Sequence, residues 1–275
     1  MCTGETLDRE WKHLILAFTA IALAFAARTF DIFYLNSPRY PGHIILSKLA
    51  GTIILVFFIG FTGVSWRETG FSREKLFWNL ILGIFLSALY LALFNLLSDA
   101  LSTFFKGGSF TLTFECNFDP LRRNDWLMFS MLILNMPCEE GLFRGVLQSR
   151  LARLIGWARA NFIQALLFGL WHLVWPKYYT KTIFNLYAAR YVAYTFVFGL
   201  LMGYIFQHTR LLTIPILIHF IGGDNAFEVK LIEIANGGRG SWILDVSVLI
   251  VMWAIYFALT IYMVKKMRGK ISLDA

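Results

Sequence analysis

Charged side chains are scarce in this chain: only 15% of its 275 residues are Asp, Glu, Lys or Arg, against about 25% in an ordinary soluble domain. The shortfall excludes a water-solvated globule of this size. Cysteine is equally sparse. Cys2, Cys116 and Cys138 are too few and too scattered for a disulfide framework or a metal-ligand cluster, and they fix no redox compartment. There is no basic patch interleaved with aromatics, which excludes nucleic acid as a partner. The formal charge of +8 comes mainly from Lys and Arg at the ends of apolar runs, where such residues anchor helices at lipid headgroups. No small-residue cleavage site follows the first apolar run, so the first helix is expected to be retained. Internal repeats, low-complexity tracts and a soluble second domain are also missing.

What is present is apolar surface: 58% of the chain is hydrophobic, with 27 Phe and 9 Trp. Runs of spanning length lie near 13–34, 44–65, 77–98, 126–148, 160–176, 184–207 and 242–264, with a shorter run at 211–222. The predicted fold is all-α, one polytopic membrane bundle of about eight transmembrane helices over 1–275, with the lipid bilayer as its first partner. Pro215 marks the start of the short helix, which is expected to be buried among the others. Lys and Arg are more numerous in the N-terminus, in connectors 66–76, 149–159 and 208–210 and in the C-terminal tail than in the other four connectors. The positive-inside rule then places both termini in the cytoplasm. The segment Trp66–Lys75 reads equally as an interfacial element or a solvated loop, with Ser72 as a plausible N-cap of the next helix. In the longest connector, the alternation Ser109–Phe114 predicts a short hairpin or an amphipathic cover.

Against this background the run Asn135-Met136-Pro137-Cys138-Glu139-Glu140-Gly141-Leu142-Phe143-Arg144 is anomalous. Each charge at mid-membrane depth costs about 2.5–3.5 kcal/mol on insertion scales, so three in one helix mark a functional site or a buried polar network. Successive helical residues turn by about 100°, so Glu139 and Glu140 face different environments. Glu140 and Arg144, four apart with the acid first, can neutralise each other. Glu139 shares its face with Asn135 and Phe143 and has no counter-charge in its own helix. Desolvation pushes an unpaired buried carboxylate toward protonation, into the range of a general base working near neutral pH. Two of the five histidines, His172 in Phe168-Gly169-Leu170-Trp171-His172 and His219 in Pro215-Ile216-Leu217-Ile218-His219, fall in the apolar runs. A lone histidine in such a run is more often a satisfied core residue than a catalyst, and solvated roles suffice for His13, His43 and His208.

Taken in order, Glu-Glu-x-x-x-Arg at 139–144, Phe-x-x-x-His at 168–172 and the histidine at 219 closely resemble the CAAX protease and bacteriocin-processing family of intramembrane glutamic endopeptidases. The resemblance covers a core of about 126–225. It implies that Glu139 and His172 activate water, that Glu140 and Arg144 support them, and that His219 stabilises the oxyanion. It implies no cofactor and no metal, and a membrane-associated protein or peptide substrate, of which a prenylated CAAX tail is one option. The third motif departs from the family's His-x-x-x-Asn/Asp, because Gly223 stands at the fourth position. A local irregularity at Gly222-Gly223 would let Asp224 or Asn225 take that place; otherwise His219 acts without it.

Three rival readings follow from the residues. A zinc hydrolase would use Glu and His ligands, but His-Glu-x-x-His is absent. A thiol mechanism would use Cys138, although a small buried cysteine is ordinarily an inert packing residue. A non-enzymatic scaffold, immunity protein or proton-coupled transporter would use the same buried polar network without proteolysis.

Overall fold

A computed structural model describes residues 4–35, 45–105, 109–115, 123–223, 228–234 and 242–273. Eleven helices are described: α1 (Gly4–Phe30), α2 (Ile45–Thr62), α3 (Leu76–Leu91), α4 (Ser98–Phe105), α5 (Arg123–Glu140), α6 (Ser149–Ile155), α7 (Trp157–Trp171), α8 (Val174–Thr180), α9 (Leu186–Thr209), α10 (Thr213–Ile218) and α11 (Trp242–Ile271). Four π-helical stretches, Asp31–Leu35, Ala92–Leu97, Gly141–Gln148 and His219–Gly223, continue α1, α3, α5 and α10. Among the described residues the one departure from an all-helical fold is a two-stranded antiparallel ribbon, β1 (Ser109–Glu115) with β2 (Glu228–Ile234), in register Ser109 to Ile234 and Glu115 to Glu228. The alternation at 109–114 therefore does form a strand. Its partner lies more than a hundred residues away, not in a local hairpin.

Among the described residues, four helical stretches are long and apolar enough to cross a membrane: Leu7–Leu35, Leu76–Leu97, Leu186–Thr209 and Asp245–Ile271. Their outer surfaces reverse the soluble pattern. Phe77, Ile84, Ile250 and Tyr262 are all exposed, as are Phe57 and Phe61 on the shorter apolar helix α2, as expected where lipid replaces water as the solvent. The centre holds the polar minority. Every residue from Cys138 to Ala152 is buried, so the helix that carries Glu139, Glu140 and Arg144 is wrapped by α1, α2, α7 and α9. Where it meets the segment before α3 it has no room for a side chain: a Cβ on Gly145 would stand 2.5 Å from the Thr69 carbonyl oxygen.

Two local expectations are corrected. Helix α3 begins after Lys75, not after Ser72. Lys75 adopts a left-handed conformation (φ 51°) and sends its ammonium to the Gly269 and Ser272 carbonyls, while Ser72 Oγ accepts from the Glu74 amide within the preceding turn. The run 160–176 is not one helix. It breaks after Trp171, and α8 starts at Val174, because in a continuous helix Pro176 would clash with the carbonyl of His172, four residues back. By contrast, Pro215 falls in the first turn of α10, and that short helix is buried as expected, with Ile214 and Ile218 fully enclosed.

The segments with the denser basic charge gather at one end of the bundle. Arg153 bridges Glu10 and Glu68 at 2.7 and 3.0 Å, Leu212 N donates to Gly70 O, and Leu273 N donates to Thr209 O, both at 3.0 Å.

Candidate active site

Helix α5 delivers both glutamates one turn after Pro137 and hands over to the π-helical stretch that holds Arg144. A π-helical stretch is uncommon, and in α-helices it recurs at functional positions. Glu140 is fully buried and Glu139 is 2% exposed, so each must find its partners inside the protein. Glu140 Oε1 accepts from Arg144 Nη1 at 3.2 Å, the pairing expected from the sequence, and also from His219 Nδ1 at 2.8 Å. Arg144 lies over the Phe168 ring at 4.2 Å and reaches the Gly199 carbonyl at 3.5 Å. One cation thus ties α5 to α7 and α9.

Glu139 is not the unpaired carboxylate that its own helix suggested. Arg28, on α1, donates from Nη1 to Glu139 Oε1 at 2.7 Å, and Trp171 Nε1 donates to the same oxygen at 3.2 Å. The Arg28 guanidinium is itself set near the rings of Trp171 and Trp175, at 5.0 and 5.9 Å. Glu139 Oε2 has no hydrogen-bond partner among the described residues, and the imidazole nitrogen His219 Nε2 stands 4.0 Å from it. One carboxylate oxygen is therefore clamped and the other is left available.

The two histidines are oriented from behind. His219 opens the π-helical turn His219–Gly223 and donates Nδ1–H to Glu140, which turns Nε2 toward Glu139. His172 sits just past the end of α7, in the break before α8, and its Nδ1 lies 2.8 Å from the Phe168 carbonyl oxygen. A carbonyl only accepts, so Nδ1 carries the proton, and in the neutral ring Nε2 keeps the lone pair. Both imidazoles line one cavity of about 270 Å³, together with Tyr90, Tyr191, Thr195 and Phe198. Glu139 and His172 do not touch, although each lies in the other's electrostatic field.

Glu139, Glu140, Arg144, His172 and His219 are thus brought together from three separate stretches of chain. Asp224 and Asn225, the remaining expected residues, lie outside the described residues. Among the described residues no three His, Cys, Asp or Glu side chains converge as metal ligands would. Cys138 is buried beside the site. Arg28 was missed by the sequence reading, although a cation late in the first apolar run carries the same signal that singled out Glu139.

Residues 123–222 match the family model described as type II CAAX prenyl endopeptidase Rce1-like. The match starts at the first residue of α5 and takes in Glu139, Glu140, Arg144, His172 and His219; Arg28 lies outside it. No curated protein matches the chain.

Proposed function

We propose that this chain, an integral membrane protein of the Rce1-like family by its segment 123–222, hydrolyses a peptide bond near the C-terminus of a membrane-associated substrate. The observation that carries the reading is the division of labour at Glu139: Oε1 is held by Arg28 and Trp171, and Oε2 is unpartnered beside His219. Hydrolysis needs a base for water, a donor for the developing oxyanion and a proton for the departing amine. In the proposed sequence Glu139, with His172 Nε2 accepting, takes a proton from water as its oxygen bonds to the scissile carbonyl carbon. His219, in its doubly protonated form with Nδ1–H held by Glu140, donates from Nε2–H to the resulting oxyanion. The proton on Glu139 then passes to the amide nitrogen as the carbon–nitrogen bond breaks, which restores the carboxylate. No metal or cofactor takes part in these steps. Glu140 and Arg144 hold His219 and the helix in place.

The place that Gly223 leaves open belongs in this scheme to Asn225 as an oxyanion donor, with Asp224 supporting it. An amide carries donor protons and an ionised carboxylate carries none. The π-helical turn at His219–Gly223 supplies the irregularity that such a replacement needs. Asn225→Ala should lower kcat by about 10²–10³, whereas Asp224→Ala should act mainly through stability.

The single domain 1–275, with its catalytic core at 126–225 and its eight apolar runs in the bilayer, would admit the substrate from the membrane. A prenylated CAAX tail is the first substrate to test. Purified protein incubated with lipidated and unlipidated peptides should release a defined C-terminal fragment, detected by mass spectrometry. Glu139→Gln should abolish the release and keep the fold, since its amide oxygen can still accept from Arg28. Undiminished release by this variant would remove the proposal. The ties of Glu140 Oε1 to both Arg144 and His219 favour a second reading, a scaffold or proton-coupled transporter built on the same network; it would stand if no peptide in the panel were cleaved.

A further inference from the structure

We propose that Asn95 binds the substrate backbone in the cavity of the two histidines, its carboxamide donating from Nδ2–H to a peptide carbonyl and accepting at Oδ1 from the N–H of the same residue. The inference rests on the proteolytic reading only in that it requires a peptide in that cavity. Asn95 lies outside the segment 123–222 matched by the family model, and none of the steps at Glu139 uses it. It is the one carboxamide among the described residues that line the cavity.

Polar aliphatic side chains interrupt the apolar span Leu76–Leu97 at Asn79, Ser87 and Asn95. The first two are answered inside the protein. Asn79 Nδ2 donates to the Lys75 and Ile271 carbonyls at 3.0 and 3.1 Å, and Ser87 Oγ donates to the Gly83 carbonyl at 2.7 Å. Asn95, which is half-buried, makes no hydrogen bond to any described residue. A carboxamide in an apolar span is costly unless a partner completes it. Backbone geometry turns it to the cavity. Residues five apart diverge by about 140° around an α-helix, yet Tyr90 and Asn95 line the same cavity. The π-helical stretch Ala92–Leu97 accounts for this, because i→i+5 bonding brings such residues toward one face. Tyr90 in turn packs on the π-helical turn that His219 opens, where a Cβ on Gly222 would stand 2.6 Å from its ring. Both β2 and α11 pack against Ala92–Leu97 as well. Two irregular turns thus meet at the cavity, one bearing His219 and the other Asn95.

A peptide backbone is the chemistry that fits. Much of the wall is aromatic, with Tyr90, Phe168, Tyr191, Tyr194 and Phe198, and a segment entering from the bilayer brings amide groups that must be satisfied by the protein. In an extended segment the N–H and C=O of one residue point to the same side, as in the hydrogen-bonded pairs of an antiparallel ladder. A carboxamide carries donor and acceptor on one planar group and answers both. The neighbouring hydroxyl of Thr195 is already committed, donating to the Tyr191 carbonyl at 2.9 Å.

The test measures binding apart from turnover. A fluorescently labelled prenylated CAAX peptide and its unprenylated counterpart are titrated onto the full chain in detergent, in the Glu139→Gln background, with and without Asn95→Leu. The leucine variant should bind about tenfold more weakly and keep or raise its Tm, since an apolar side chain replaces an unsatisfied amide. In the chain that retains Glu139 it should raise KM more than it lowers kcat. Asn95→Gln, which keeps the carboxamide, should recover part of the affinity. Peptides whose successive backbone amides are replaced by esters locate the contact. One ester should weaken binding when Asn95 is present and change nothing in the leucine variant, a coupling that a merely structural role would not produce. Binding without cleavage by the wild-type chain, with that ester pattern, supports the inference while removing the proteolytic reading. Cleavage with KM and the ester pattern unaltered by Asn95→Leu overturns the inference alone, and failure of both peptides to bind overturns both.

Discussion

At the scale of single residues, the site is a set of buried charges that neutralise one another across helices. Arg28 and Arg144 each answer one glutamate, and removing one partner of a buried pair leaves the other uncompensated, at about 3–5 kcal/mol. Arg144→Ala should therefore lower stability by that amount, measured by denaturation in detergent. Arg28→Ala should cost about the same, and it separates two roles. If Arg28 only balances charge, Arg28→Lys restores both folding and turnover. If its fork also aims Glu139, the lysine variant folds but turns over more slowly, with kcat falling more than KM changes. The Glu140–Arg144 pair was legible in the sequence, because a helix sets the geometry of residues four apart. The partner of Glu139 was not, since Arg28 is separated from it by 111 positions and no local periodicity reports such a contact.

At the scale of elements, small irregularities place the chemistry. The break between α7 and α8 puts His172 at a helix end and not within a helix, with Pro176 as its cause. Pro176→Ala removes the clash with the His172 carbonyl. The variant is expected to keep or raise its Tm while losing at least about tenfold in turnover, as the imidazole leaves the cavity wall; unchanged turnover would show that the break is incidental. The close approach of the Gly141–Gln148 stretch to Thr69 makes a second demand. Gly145→Ala forces a Cβ onto a backbone carbonyl and should destabilise by about 1–3 kcal/mol, as overpacking of a dense interior does. The run that carries Pro176 could have been divided from sequence, because the proline was visible. The π-helical turn at 141–148 could not, since no residue pattern there marks an extra residue per turn; at 219–223 the pair Gly222-Gly223 suggested an irregularity but not its helical form.

At the scale of the whole molecule, the outward apolar faces and the inward charges describe a protein turned inside out relative to a soluble one. The gathering of Glu10, Glu68, Arg153, Lys75 and the stretch 269–273 at one end predicts a common sidedness. In a background without Cys2 and Cys116, cysteines introduced at the exposed Arg73 and Lys266 should react alike with a membrane-impermeant thiol reagent. A cysteine at Lys181, one traverse away between α7 and α9, should show the opposite accessibility. Equal labelling of all three would contradict this arrangement.

The amino-acid sequence by itself determined the helical, membrane-embedded class and the identity of the polar minority. Hydropathy and charge are summed residue by residue, and any charge in an apolar run stands out against that sum. Tertiary structure alone decided which charges meet: that Arg28 clamps Glu139, that His219 bridges toward both glutamates, and that β1 pairs with β2. The reason is physical. A buried charge must be satisfied somewhere, but the requirement names no partner, and only the packing of distant helices brings a particular donor within hydrogen-bond reach.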